Sequence, residues 1–184
     1  MNHHIILGGQ KSGKSCFAER LGLAWLTQST HHSVSVLATA LSGDVEMAAR
    51  IDRHRQDRPA AFDTVEAPFE LGASIRQHAQ PGRLLIVDCL TLWLTNWLMP
   101  VTPADDLHAA WHLARSDLLS SLDEAAGPVV LVTNEIGWGV IPLGDAVRQF
   151  VDELGRLNQE VTQRCQQITL MAGGQPWTQE VRKW

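Results

Sequence analysis

Cysteine is scarce in this chain: Cys16, Cys89 and Cys165 are the three among 184 residues. They are too few and too scattered for a disulfide framework, and no C-x-x-C or Cys/His spacing suggests structural zinc. A reducing cytosol is the natural compartment for such a chain, so a cytoplasmic location is expected. Positive charge is also short. Fifteen Lys and Arg against twenty Asp and Glu leave a net charge of −5, which argues against a general nucleic-acid binder. Extremes of polarity are missing too. With 45% hydrophobic and 19% charged residues the chain is not disordered in its main state. No basic stretch followed by a long apolar one opens the sequence, so no secretory signal is expected. Tyrosine is absent while tryptophan occurs seven times, and no function follows from that.

One long hydrophobic run exists, Leu84 to Val101 (LLIVDCLTLWLTNWLMPV). It is about as long as a short membrane span, but it holds Asp88 and Asn96 and nears its end at Pro100. A buried strand leading into an apolar helix explains it better, so no stable membrane insertion is expected. The length suits one domain, residues 1–184, and a chain of this size buries roughly 70% of its unfolded surface.

Apolar runs alternate with amphipathic segments along the chain. Strands are expected at His4–Leu7, Ser33–Ala38, Phe62–Glu66, Leu84–Asp88, Val129–Thr133 and Ile168–Ala172, the last closed by Gly173-Gly174. Helices are expected from Lys14 to about Gln28 (Phe17, Leu21 and Ala24 or Trp25 on one side), from Asp44 to about Asp57, from Pro68, from about Asp105 to Glu124, and from about Asp145 to Gln166. Continuous apolar strands separated by helices imply an α/β fold, with a mostly parallel sheet and helices on both faces. Residues 101–106, next to Pro100, read as the flexible loop. No repeat or linker interrupts the pattern.

Between the first strand and first helix lies Gly8-Gly9-Gln10-Lys11-Ser12-Gly13-Lys14-Ser15, which matches the phosphate-loop pattern G-x4-G-K-[ST]. Glycines let the backbone approach phosphates closely, and the helix N-terminus adds positive potential. Lys14 is expected to neutralise β- and γ-phosphate charge, and Ser15 to hold Mg²⁺. Asp88 ends the buried run Leu84-Leu85-Ile86-Val87, where a phosphate-loop protein keeps a carboxylate for the metal shell; it also suits the cap of the next helix. The guanine motif N-K-x-D is absent, the nearest stretch being Thr133-Asn134-Glu135-Ile136. A compact enzyme acting on a small molecule is the economical reading.

The second helix places Met47 and Ile51 on its apolar side. His54 comes seven residues after Met47, about 20° off the same direction, with Arg50, Arg53, Arg55 and Arg58 around it. Positive neighbours depress a histidine pKa and keep the ring neutral and nucleophilic. Four arginines suit a polyphosphate. A helix histidine is nonetheless more often structural, and both readings stand on these residues alone. His3-His4 and His31-His32 are expected at solvated ends or in loops.

The whole set is similar to one family. GGQKSGKS, DVEMAARIDRHRQDRP, TVEAP, LLIVDCLTLWLTNWL and VVLVTNEIGWGVIPLGDAVRQFVDELGRLNQ, in that order, resemble the bifunctional adenosylcobinamide kinase and adenosylcobinamide-phosphate guanylyltransferase of cobalamin biosynthesis. The helix and the TNEIG segment carry most of the likeness, since a phosphate loop is shared by many families. The resemblance implies a RecA-like P-loop NTPase fold, ATP and GTP as substrates with Mg²⁺, and a homo-oligomer. It implies two reactions: phosphorylation of the aminopropanol hydroxyl of adenosylcobinamide, then transfer of GMP from GTP to that phosphate, giving adenosylcobinamide-GDP and pyrophosphate. The family's guanylylated histidine falls on His54. Ala38-Thr39-Ala40, the stretch Arg55, Gln56, Asp57 and Arg58, and Glu66 fall on nucleotide contacts, with Glu66 suited to read guanine N1–H and N2–H₂.

Three departures stand out. Arg53 occupies a place where some relatives have a second histidine. Asp88 stands where some have glutamate. The ending GGQPWTQEVRKW differs from the expected G-[IL]-P-x-x-[IV]-K, with Gly174, Pro176 and Lys183 as its remnants. The helix of Trp93 and Trp97, apolar almost all round, suits core or subunit contact. Two alternatives follow from the residues: a kinase in which His54 merely binds phosphate, and a nucleotide-dependent regulatory module with little turnover.

Overall fold

The computed structural model describes residues 3–42, 48, 58–100 and 107–183. Seven strands form one sheet: β1 (His4–Gly8), β2 (Ser33–Ala38), β3 (Phe62–Glu66), β4 (Arg83–Asp88), β5 (Val129–Val132), β6 (Gln167–Ala172) and β7 (Gln175–Glu180). The described helices are α1 (Lys14–Leu26), α2 (Leu71–His78), α3 (Leu90–Leu98), α4 (Leu107–Glu124) and α5 (Asp145–Thr162). The expected second helix, with His54, lies outside the described residues except for Ala48, which is helical. Residues 101–106 lie outside them as well.

The strand order is β3-β2-β4-β5-β1-β6-β7. The first six are parallel, and β7 runs antiparallel to β6. The chain leaves β1 toward β2 on one side and returns with β6 on the other, so the topology switches at β1. In open parallel sheets that switch opens a crevice at the C-terminal strand ends.

Alternation along the strands sorts the core into two layers. Ile5, Leu7, Leu85, Val87, Val129 and Leu131 face one side, where α2 to α5 cover them with Ile75, Trp93, Trp111 and Leu154 among others. Ile6, Val34, Val36, Ile86 and Val130 face the other, where Phe17, Leu21 and Trp25 of α1 pack. Over its described residues the long apolar run resolves into β4 and α3, and most of its apolar side chains face the core. Leu90, Trp93 and Leu94 of α3 are fully buried. Among the described residues, no helix is long and apolar enough to cross a membrane.

Three expectations are corrected. Ile168–Ala172 is not the last strand: Gly173 and Gly174, both at positive φ, turn the chain into β7. The third helix starts at Leu71, not Pro68, because the preceding loop is held otherwise. The Pro68 carbonyl accepts from Asn96 Nδ2 at 2.9 Å, and that of Phe69 accepts from Trp93 Nε1 at 2.9 Å. His3 and His4 are not solvated; they are 5% and 7% exposed. His32 is half-buried and stacked on Trp25 at 4.0 Å, while His31 is exposed.

His3 and His4 make a prediction. His3 Nε2 donates to the Leu122 carbonyl at 3.0 Å, and its Nδ1 accepts from the Val129 N–H at 3.2 Å, so the neutral ring uses both nitrogens. His4 Nε2 meets Thr169 Oγ1 at 2.7 Å, and that oxygen meets Thr178 Oγ1 at 2.7 Å, linking β1, β6 and β7. Burial lowers the pKa of both, that of His4 to about 4. Between pH 6.5 and about 4 the unfolded chain takes up a proton that folded His4 refuses. Stability therefore falls as pH drops through that window, by about 3 kcal/mol from His4 at full effect. Urea unfolding at pH 7 and pH 4.5 measures the loss, and His4→Gln should flatten the slope relative to the unmodified chain.

The buried Glu153 of α5 also ties elements together. Its carboxylate accepts from Trp111 Nε1 at 2.8 Å, Arg115 Nη1 at 3.2 Å and Arg156 Nη1 at 2.9 Å. A carboxylate so placed is tolerated because two guanidiniums and an indole N–H fill its lone pairs.

Candidate active site

The site is built at the switch point. β1 ends at Gly8, whose added Cβ would stand 2.4 Å from the Met171 carbonyl oxygen of β6, a distance no side chain tolerates. The chain then curls back, with Lys11 at φ 55° and Gly13 at φ 97°. Residues of alternating hand turn a short loop into a concavity for an anion. Gly13 caps α1, and no side chain caps that helix end, which leaves its first N–H groups to an anion.

Lys14 begins α1 and is 8% exposed. Its ammonium donates to the carbonyls of Gly8 at 3.0 Å and Gly9 at 2.7 Å, and lies 3.5 Å from Ser12 Oγ. Those oxygens keep a buried cation hydrogen-bonded at the mouth of the loop.

The remaining groups stand along the C-terminal edge of the sheet. Glu66 pairs in register with Ala38, Ala38 with Asp88, and Asp88 with Val132. Glu66 and Asp88 are thus two strand spacings apart, about 10 Å. A single cleft of about 580 Å³ takes in Gln10, Lys11, Ser12, Gly13, Lys14 and Ser15 on one side and Arg58, Glu66, Ala38, Ala40 and Asp88 on the other. Arg58 is held toward β3 by a hydrogen bond from Nη1 to Thr64 Oγ1 at 2.8 Å.

Most expected site residues therefore meet in one place. Gly8 and Gly9 form the approach to the loop. Thr39 is different: it is fully buried, its hydroxyl donates to the Cys89 carbonyl at 2.7 Å, and it accepts from the Cys89 N–H at 2.9 Å. It braces the end of β2 against the start of α3 instead of lining the cleft. His54, Arg55, Gln56 and Asp57 lie outside the described residues.

The cleft also contains residues outside the expected site set. Leu92, Met99, Val132 and Phe150 give it an apolar wall, and Thr91, Thr95 and Asn134 add polar groups. Cys89 lies there too, but desolvation, with the Asp88 charge adding to it, pushes its thiol up to about 12, so it is no nucleophile at neutral pH. Beyond Asn134, the Glu135 N–H donates to the Gly8 carbonyl at 3.2 Å and the Glu135 carboxylate accepts from the Gly137 N–H at 2.8 Å. The segment that follows carries Trp138, Val140, Ile141 and Leu143, all at least 75% exposed. Arg148 fixes its far end by donating to the carbonyls of Pro142 and Leu143.

Ser15 and Asp88 are hard oxygen donors in the same cleft, a set that suits Mg²⁺ shared with nucleotide phosphates and water. Among the described residues no group of three or more His, Cys, Asp or Glu could hold a metal ion. A cation here would need the phosphates as ligands.

Comparison with known proteins agrees with this arrangement. The family model described as cobinamide kinase / cobinamide phosphate guanyltransferase matches residues 4–178. The bifunctional adenosylcobalamin biosynthesis protein CobP of Pseudomonas aeruginosa is 47% identical over 176 residues, covering 94% of each chain. The bifunctional adenosylcobalamin biosynthesis proteins CobU of Escherichia coli and Salmonella typhimurium are 33% and 34% identical, each aligned over 92% of this chain and 95% of its own. A family match over nearly the whole length, on a sheet with the phosphate loop at its switch point, shows that this chain belongs to the cobinamide kinase / cobinamide phosphate guanyltransferase family.

Proposed function

We propose that this protein phosphorylates the aminopropanol hydroxyl of adenosylcobinamide with ATP or GTP. It then transfers GMP from GTP to the new phosphate through a guanylylated His54. One observation carries the reading: in a chain of this family, the phosphate loop, Asp88, Arg58 and Glu66 open onto one cleft. In the kinase step the loop N–H groups and Lys14 hold the β- and γ-phosphates while the acceptor oxygen attacks the γ-phosphorus. Ser15 and Asp88 would hold Mg²⁺, which adds charge neutralisation when bound.

In the guanylyl step the neutral His54 imidazole attacks the α-phosphorus of GTP, a nitrogen–phosphorus bond forms, and pyrophosphate leaves with the electron pair of the broken bond. The phosphoramidate is reactive, because protonated imidazole leaves easily. The phosphate of adenosylcobinamide phosphate then displaces it and takes the GMP. Mass spectrometry tests the assignment. Incubation of the protein with adenosylcobinamide, ATP and Mg²⁺ should give the phosphate, and addition of GTP should give adenosylcobinamide-GDP with one equivalent of pyrophosphate. Absence of both products from protein that binds nucleotide would overturn it.

Glu66 reads the base in this scheme. A carboxylate accepts from guanine N1–H and N2–H₂ together, a pattern adenine does not supply. Glu66→Gln should therefore cut the GTP-over-ATP preference of the guanylyl step at least about tenfold, the scale of one charged hydrogen bond lost. An unchanged preference would remove Glu66 from that role.

The chain works as a cytoplasmic homo-oligomer in this reading. Among the described residues the longest run of exposed apolar side chains is Trp138, Val140, Ile141 and Leu143, whereas Leu90, Trp93 and Leu94 of α3 are fully buried in the core. Light scattering at micromolar concentration should report more than one copy, and Val140→Asp with Leu143→Asp should lower the number. A monomeric unmodified chain would end the idea.

A further inference from the structure

Thr133 and Asn134 follow β5, between the strand that ends in Asp88 and the strand that runs into the phosphate loop. Asn134 lines the cleft with Lys14, Ser15 and Asp88. Its main chain is clamped from both sides. The Asn134 N–H donates to Thr91 Oγ1 at 2.8 Å, and its carbonyl accepts from Asn158 Nδ2 at 3.0 Å. The two clamps are themselves tied: Asn158 Oδ1 accepts from the Thr133 hydroxyl at 2.9 Å, and that hydroxyl lies 3.4 Å from Thr91 Oγ1.

Thr91, Thr133 and Asn158 are 8%, 0% and 5% exposed, and they come from α3, the end of β5 and α5. A satisfied buried network is rigid, and apolar side chains would join three elements without its desolvation cost. What the network adds is the fixed position of Asn134. Among the described residues the Asn134 carboxamide itself makes no hydrogen bond.

We propose that Asn134 aligns the acceptor hydroxyl with the γ-phosphorus in phosphoryl transfer, and that Asn158 and Thr91 are its positioning residues. This rests on the reading of the cleft as a phosphoryl-transfer site. A carboxamide carries a donor and an acceptor side by side. Nδ2 donates to a γ-phosphoryl oxygen, and Oδ1 accepts from the attacking O–H. The acceptor oxygen forms its bond to the γ-phosphorus. The bond to the β–γ bridging oxygen breaks, and its electron pair leaves with the nucleoside diphosphate. The hydroxyl proton passes to an oxygen of the transferred phosphoryl group. The amide takes no proton; it supplies orientation, and orientation in an otherwise loose transition state is what the protein contributes.

The test uses the full chain with three variants, Asn134→Ala, Asn158→Asp and the double variant. Asn158→Asp keeps the acceptor for Thr133 and sets an oxygen against the Asn134 carbonyl in place of the donor, and a denaturant midpoint shows whether the variant is folded. For Asn134→Ala, kcat for adenosylcobinamide phosphorylation is expected to fall 30-fold or more while KM for the nucleotide changes less than fivefold. Binding is read separately, by competition between non-hydrolysable ATP analogue and ADP, and the preference for the triphosphate form should fall more than twofold. Asn158→Asp should lower kcat about tenfold, and the double variant should be no slower than Asn134→Ala, since both changes act through one group. Additive losses, or an Asn134→Ala chain within twofold of the unmodified one in kcat and in triphosphate preference, would overturn the proposal. Failure of the unmodified chain to phosphorylate would overturn the activity reading, and the triphosphate preference would still decide the role of Asn134.

Discussion

Lys14→Met should reduce phosphoryl transfer by about 150- to 900-fold and leave the fold in place. Methionine keeps most of the stem of a side chain that is 8% exposed, so packing changes little. What disappears is the ammonium, which in this structure donates to the Gly8 and Gly9 carbonyls. With nucleotide bound, the same charge stands against oxygens that gain or move charge in the transition state. Removing one such donor from a site sheltered from water costs about 3–4 kcal/mol, and each 1.36 kcal/mol is a tenfold change in rate. Steady-state kinetics with adenosylcobinamide and ATP give the rate, and a denaturant midpoint shifted by less than the error shows that folding is unaffected. A loss below tenfold in a folded variant would mean that the phosphates lie elsewhere.

His54→Ala should abolish the guanylyl step and leave the kinase running. The loss is at least about a thousandfold, because a missing nucleophile closes the covalent route. Labelling shows it directly. Incubation with Mg²⁺ and α-labelled GTP should leave label on the denatured unmodified protein, acid-labile and alkali-stable as a phosphoramidate is. The γ-label should not remain, because it leaves with pyrophosphate. The variant should retain neither. Absence of α-label on unmodified protein that binds GTP would leave a phosphate-loop kinase in which His54 is no nucleophile.

The parts of this molecule legible in the sequence are those decided locally. The phosphate loop is eight consecutive residues between a strand and a helix, and Asp88 ends an apolar run of four. Both stand where the pattern put them, and Arg58 and Glu66 share their cleft. The mostly parallel sheet followed from continuous apolar strands. What escaped depends on distant partners. His3 and His4 look like a polar chain end until Leu122, Val129 and Thr169 close on them. Thr39 is indistinguishable from a cleft residue until Cys89 takes up its hydroxyl. Asn134 lies in the TNEIG segment, but no neighbour in sequence assigns it a role, and its clamps come from Thr91 and Asn158, 43 and 24 residues away. β7 escaped for another reason: every residue of it is exposed, so it has no burial period to read.

β7 also explains how this chain tolerates an ending unlike its family's pattern. Its side chains enter no core, and apart from the Thr178 hydroxyl that meets Thr169 it contributes backbone pairing with β6, including the register of Pro176 with Met171. Met171 in turn pairs with Gly8 and supplies the carbonyl against which that glycine fits. Natural selection can therefore act on the hairpin as a shape while its letters drift. The constraint falls on Gly8 and on the turn glycines, since any residue at 171 supplies a backbone carbonyl, so divergence at the tail is a poor guide to whether a relative has kept the phosphate loop.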